Sequence, residues 1–143
     1  MAGKVTAQQL IEGLNKDLAG ELQAITMYIH YAASCTGLDR LELAEFFEKE
    51  IQDELRHALF LANKIVALGG TPTDEALPVP KAQTNQEMVE RVLQAEVETI
   101  QRYVERMKQA EDFGDYGLSN DIQEIISDET RHKEEAEKLL RGA

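Results

Sequence analysis

Along most of this chain apolar residues recur in steps that alternate between three and four, the spacing that puts them on one face of an α-helix. Three stretches break the pattern: TGLD at 36–39, GGTPTDEALPVPKAQT at 69–84 and DFGDYG at 112–117. Four helices are therefore predicted, over residues 7–36, 39–68, 85–111 and 115–141, with Thr6, Asp39 and Thr84 as N-caps and Gly37, Gly69 and Gly114 as stops. The first and third breaks are short enough to join antiparallel neighbours, so each makes a helical hairpin. The middle break can extend about 50 Å at ~3.3 Å per residue, more than the ~42 Å of a 28-residue helix. An all-α four-helix bundle follows, one domain over 1–143 built from two antiparallel hairpins joined by a long crossover.

Polar residues interrupt every apolar seam near its middle. The four seams read Leu18, Glu21, Ile25, Tyr28; then Phe47, Glu50, Glu54, His57, Leu61; then Leu93, Glu96, Ile100, Tyr103, Met107; and Ile122, Ile125, Glu129, His132, Ala136. A shift of 75 positions lays Glu21 on Glu96, Tyr28 on Tyr103, Asp53 on Asp128, Glu54 on Glu129, Arg56 on Arg131 and His57 on His132. The hairpins therefore look like two copies of one unit. Glu21 and Glu54 stand equally far from the middle of the first turn, and Glu96 and Glu129 from the middle of the second, so each pair faces across its hairpin at one level. Packing the hairpins about a pseudo-twofold axis gathers four carboxylates, with His57 and His132 one turn from their own glutamates on the same faces.

Four buried carboxylates repel one another, and each costs several kcal/mol to bury unpaired, so something must compensate them. Two divalent cations balance the four charges, and oxygen with imidazole nitrogen suits iron or manganese. One Glu from each of two helices with Glu-x-x-His from the other two is the ligand pattern of di-iron and di-manganese carboxylate bundles. The rival is a metal-free structural bundle whose polar layer sets helix register. Asp53 and Asp128 either accept the free imidazole N–H of the opposite hairpin's histidine or are surface acids on a helix flank. Tyr28 and Tyr103, two turns from Glu21 and Glu96, either donate to those carboxylates or fill the core. Glu50 has Ile125 as its repeat mate and either marks an iron entry or auxiliary site or, the reading preferred, sits at a solvated rim, and His30 falls on the face opposite Glu21.

Charge and composition narrow the partners. A net charge of -12 and a pI near 4.6 exclude a phosphate-binding surface, so no nucleic acid is expected. No run reaches the ~20 apolar residues of a membrane span and no signal peptide is evident, which predicts a cytoplasmic protein. With Cys35 the only cysteine, neither an internal disulfide nor a thiolate zinc site can form.

GELQAITMY around Glu21, EIQDELRHA around Glu54 and His57, AEVETIQRY around Glu96 and ISDETRHKE around Glu129 and His132 resemble the di-iron motif of the ferritin-like superfamily. LGGTP after the second helix and the long crossover make the resemblance one to bacterioferritin in particular. The resemblance implies a di-iron ferroxidase that oxidises Fe(II) with dioxygen or peroxide, for iron storage or detoxification, in a homo-oligomer. It implies two iron ions per chain, with manganese also accepted. Glu54 and Glu129 would bridge, Glu21 and Glu96 would be terminal, and His57 and His132 would give one nitrogen each. A catalase, peroxidase or oxidase without mineral storage would use the same six residues. In bacterioferritins a methionine directly after the second-helix glutamate binds haem; here that position is Leu55, so no haem is expected. The chain stops at EKLLRGA, without the family's fifth helix, which leaves dimer, 12-mer and 24-mer as open assemblies.

Overall fold

The computed structural model describes residues 4–142 and contains four helices: α1 (Ala7–Ser34), α2 (Arg40–Ala67), α3 (Asn85–Phe113) and α4 (Tyr116–Leu140). Three of them, α1, α3 and α4, begin at a residue outside the helical region whose side chain caps the first turn. Thr6 Oγ1 accepts the Gln9 N–H at 3.1 Å while Gln9 Oε1 accepts the Thr6 N–H at 2.9 Å, a reciprocal capping box. Thr84 and Asp115 cap α3 and α4 through the N–H groups of Glu87 and Leu118. Asp39 precedes α2 in a helical conformation and its side chain makes no capping bond, so the sequence expectation for it holds in position only.

Glycines terminate α2 and α3 by the same geometry. Gly114, at φ 96°, sends its N–H to Glu111 while Asp115 bonds back to Ala110 at 2.9 Å. Gly69, at φ 92°, bonds to Val66 while Gly70 bonds to Ile65. A side chain at either φ would be strained, and glycine satisfies the last carbonyls without that cost.

Helices α1 and α2 pack along their length, as do α3 and α4; α1 meets α3 across the hairpins, and α2 touches α4 only sparsely. The crossover is pinned along α1. Asn15 bonds to the backbone of Thr71 and Thr73, Ala19 O accepts from Leu77 N, Gln23 donates to Pro78 O and Tyr31 to Pro80 O. These anchors run from residue 15 to residue 31 of α1, so the linker travels about 24 Å along the bundle at 1.5 Å per residue. The third helix then starts beside the first turn, where Asn85 binds both backbone groups of Thr36.

The apolar interior falls into two clusters. One centres on Leu10, Leu14, Leu61, Ile65 and Ile122, the other on Met27, Tyr31, Phe47, Val92 and Ala136. Between them lies the polar layer. Leu61 is fully buried, so Leu61→Ala is expected to lower unfolding free energy by about 2–5 kcal/mol, measured by urea denaturation.

Candidate metal centre

Glu21, Glu54, His57, Glu96, Glu129 and His132 converge between the two apolar clusters, each no more than 6% exposed. Their donor atoms form two overlapping groups, Glu21 with Glu54, His57 and Glu129, and Glu96 with Glu54, Glu129 and His132. Glu54 and Glu129 belong to both groups. His57 Nδ1 is 3.2 Å from Glu129 Oε1, 3.7 Å from Glu21 Oε1 and 3.9 Å from Glu54 Oε1. His132 Nδ1 is 3.4 Å from Glu54 Oε1, 3.8 Å from Glu129 Oε2 and 4.0 Å from Glu96 Oε1.

The surrounding groups fix the orientation of these side chains. His57 Nε2 lies 3.0 Å from Asp128 Oδ2 and His132 Nε2 lies 2.9 Å from Asp53 Oδ2, each bond crossing between α2 and α4. A proton held on Nε2 by a carboxylate turns Nδ1 inward. Tyr28 donates to Glu96 Oε1 and Tyr103 to Glu21 Oε1, both at 2.6 Å and both across the hairpins. Burial first, then Glu96 for Tyr28 and Glu21 for Tyr103, raises the pKa of each phenol well above its ordinary value, so both remain donors. Arg56 and Arg131 point outward and still bind the aspartates, Arg56 spanning Asp53 and Asp128 and Arg131 holding Asp128.

Inside the layer, charge is strongly coupled. Burial, then neighbouring carboxylates, pushes Glu54 and Glu96 well above the ordinary range. Burial also acts on Glu129, yet the closeness of Glu96, His132, His57 and Glu54, each able to hold a proton beside it, keeps it well below. Desolvation works against charge on the imidazoles, but the carboxylates around them outweigh it, raising His57 to about 10 and His132 to about 11. Seven buried side-chain atoms among the described residues have no hydrogen-bond partner, and six of them are Glu21 Oε2, Glu54 Oε1, His57 Nδ1, Glu96 Oε2, Glu129 Oε1 and His132 Nδ1. One orphan from each of six convergent side chains is what a pair of cations would satisfy.

Three placements differ from the sequence reading or escape it. Glu50 is buried, not at a solvated rim, and its Oε2 approaches His132 Nε2 to 2.5 Å. The imidazole supplies the partner that draws it in. On α3 the buried seam runs through Arg106, while Met107 is only partly buried. The reason is Asp17, 2% exposed on α1, whose carboxylate takes the Arg106 Nε–H at 2.8 Å. Gly13 makes room, since a Cβ there would lie 1.9 Å from Arg106 Nη1. Burial pushes the Asp17 pKa up to about 6 against the pull of Arg106. The available signal was a charge on each seam, Asp17 four residues before Glu21 and Arg106 three after Tyr103. Arg106→Met leaves Asp17 buried without a partner and is expected to cost about 3–5 kcal/mol in urea unfolding, much of it restored by adding Asp17→Leu. His30 is exposed, as is Leu55 on α2.

The bundle topology and the cluster at its centre match the pattern of one Glu from each of two helices and Glu-x-x-His from the other two that di-iron and di-manganese carboxylate bundles share. Family comparison agrees: the ferritin-like domain matches residues 11–142, and the chain belongs to the ferritin-like family. It is similar to the bacterioferritin of Streptomyces coelicolor, 31% identical over 133 residues that span 92% of this chain and 80% of the relative. Among solved structures, a ferritin-like diiron-carboxylate protein from Bacillus anthracis shares 50% identity over 94% of this chain and 96% of its own, with a TM-score of 0.92. The bacterioferritin of Desulfovibrio desulfuricans, whose structure records a diiron site in different catalytic states, has 32% identity and a TM-score of 0.88, covering 94% of this chain and 80% of that one.

Proposed function

We propose that this chain is a di-iron ferroxidase, oxidising Fe(II) with dioxygen or peroxide in the service of iron storage or detoxification. The observation that carries the reading is the set of six unpartnered, buried donor atoms on six convergent side chains. In this proposal Glu54 and Glu129, common to both groups, would each serve both metal ions. Glu21 and Glu96 would be the terminal carboxylates, each with Oε1 tied to a tyrosine and Oε2 buried without a partner. His57 and His132 bind through Nδ1, with Asp128 and Asp53 holding the other ring nitrogen.

Two Fe(II) ions held there would be the substrate, their oxidation to Fe(III) supplying the two electrons that, with two protons, take dioxygen to hydrogen peroxide or hydrogen peroxide to water. The protein's part is to hold the donors and exclude bulk water, and to release protons from His57, His132, Glu54 and Glu96 as cations replace them. Manganese fits the same donors. Among the described residues no helix is long and apolar enough to cross a membrane. Ile29, Leu59 and Val66 lie 54%, 64% and 58% exposed on the α1–α2 hairpin, which supports assembly with further copies and is measurable by light scattering.

The test is to add Fe(II) to metal-free protein without oxygen and then to mix with air-saturated buffer or with peroxide, following ferric absorbance. Fast oxidation of two irons per chain is expected, and uptake beyond two in soluble form would add storage. Oxidation no faster than in buffer would contradict the reading, and rapid oxygen evolution from peroxide would replace it with a catalase.

A further inference from the structure

The pseudo-twofold relation between the hairpins fails just outside the six central residues. Glu50 stands where the other repeat has Ile125. Its Oε2 is 2.5 Å from His132 Nε2, the same nitrogen that faces Asp53 Oδ2 at 2.9 Å. His57 Nε2 meets one carboxylate, Asp128, and Ile125 lines the cavity beside it. The arginines deepen the difference, because Arg56 is shared between Asp53 and Asp128 while Arg131 binds Asp128 alone. Around His132 there are thus two carboxylates and part of one guanidinium. Around His57 there is one carboxylate with a guanidinium of its own and part of another.

We propose, resting on the two-metal reading above, that the two metal positions are unequal and that Glu50 makes the Glu96 and His132 position the stronger cation site. A second carboxylate on the outer nitrogen makes the imidazole a better donor, since the partner of a ligating histidine sets its basicity. It also adds a negative charge at short range. Glu50 acts with little screening because its side chain is 11% exposed, whereas Arg56 and Arg131 are 63% and 64% exposed and their charges are damped by solvent. Ile125 offers no such charge to His57, and the other acids lining the cavity beside it, Asp121 and Glu124, are exposed, form no ion pair with its ring and are screened by solvent. The consequence is ordered loading: one cation settles beside His132 first, and the second completes the pair beside His57. Glu50 is then a positioning residue, acting on the metal through His132.

Cobalt(II) gives a readout independent of turnover, through visible absorption that reports its coordination and through calorimetry. Titration of the metal-free wild-type chain is expected to resolve a tight step and a weaker step. Glu50→Gln, nearly isosteric, should weaken the first step by about 10–100-fold, the usual consequence of losing a ligand's outer partner, and leave the second unchanged. Asp128→Asn should weaken the second step alone, and Ile125→Glu should tighten it. Two equal steps in the wild type, or a first step unmoved by Glu50→Gln, would overturn the inequality while leaving the two-metal reading intact. No cobalt binding by the wild type would remove that reading as well.

Discussion

Glu54→Ala is expected to abolish paired metal binding and with it fast Fe(II) oxidation, whereas Glu21→Ala and Glu96→Ala should each impair one position. The difference follows from membership, because Glu54 contributes to both donor groups and the other two residues to one each. The loss for Glu54 should exceed the about 10–100-fold typical of removing an outer partner of a metal ligand. Isothermal titration with a divalent cation distinguishes the cases: no high-affinity site in Glu54→Ala, and one retained site in the terminal variants. Alanine at 54 also removes a buried carboxyl that must stay protonated among its acidic neighbours, so the metal-free variant should unfold at a temperature no lower than the metal-free wild type. A structural seam that happened to resemble a metal centre would show the opposite, unchanged binding and a lower unfolding temperature.

The second large effect is on stability. At a free metal concentration of 1,000 times Kd, ligand linkage adds about 4 kcal/mol. With roughly 2–4 °C per kcal/mol for a chain near this size, the midpoint should rise by about 10 °C. That rise should grow with pH. In the metal-free protein the folded pKa values of His57 and His132 are raised, to about 10 and about 11, so their protons stabilise the fold fully below the ordinary histidine value of about 6.5, and that contribution is lost as pH climbs toward 10–11. Glu54 and Glu96 are raised too and lose stabilisation as pH rises above the ordinary carboxyl range. Glu129 is lowered and runs the other way, its contribution vanishing in acid. Metal ions compete with protons for these groups, so binding tightens and the metal-dependent shift widens from pH 5 to pH 8. Differential scanning calorimetry with and without chelator at several pH values measures both.

The helices, the hairpins and the level of the carboxylates were legible because periodicity and a 75-residue repeat depend only on backbone geometry. Glu21 with Glu96 and Glu54 with Glu129 could be placed by counting from two short turns. What could not be counted was how polar residues off the repeat find partners in three dimensions. Asp17 and Arg106 lie on different hairpins and have Val92 and Tyr31 as repeat mates, so nothing in the internal symmetry linked them, and the notch at Gly13 is visible only once α1 and α3 are packed. Glu50 was misplaced for a related reason: an acid without a symmetry mate looks peripheral until the second nitrogen of His132 is seen beside it. The crossover's path was likewise bounded by length alone, while its course along α1 is set by Asn15, Gln23 and Tyr31 binding its backbone.

The central claim is that these six side chains hold two metal ions between the apolar clusters. Crystals of the protein grown with Fe(II) without oxygen, with diffraction recorded on both sides of the iron absorption edge, test it directly. Two anomalous peaks per chain are expected, both flanked by Glu54 and Glu129, one beside Glu21 and His57 and the other beside Glu96 and His132. A map with no peak there, or with iron bound only at surface carboxylates, would contradict it.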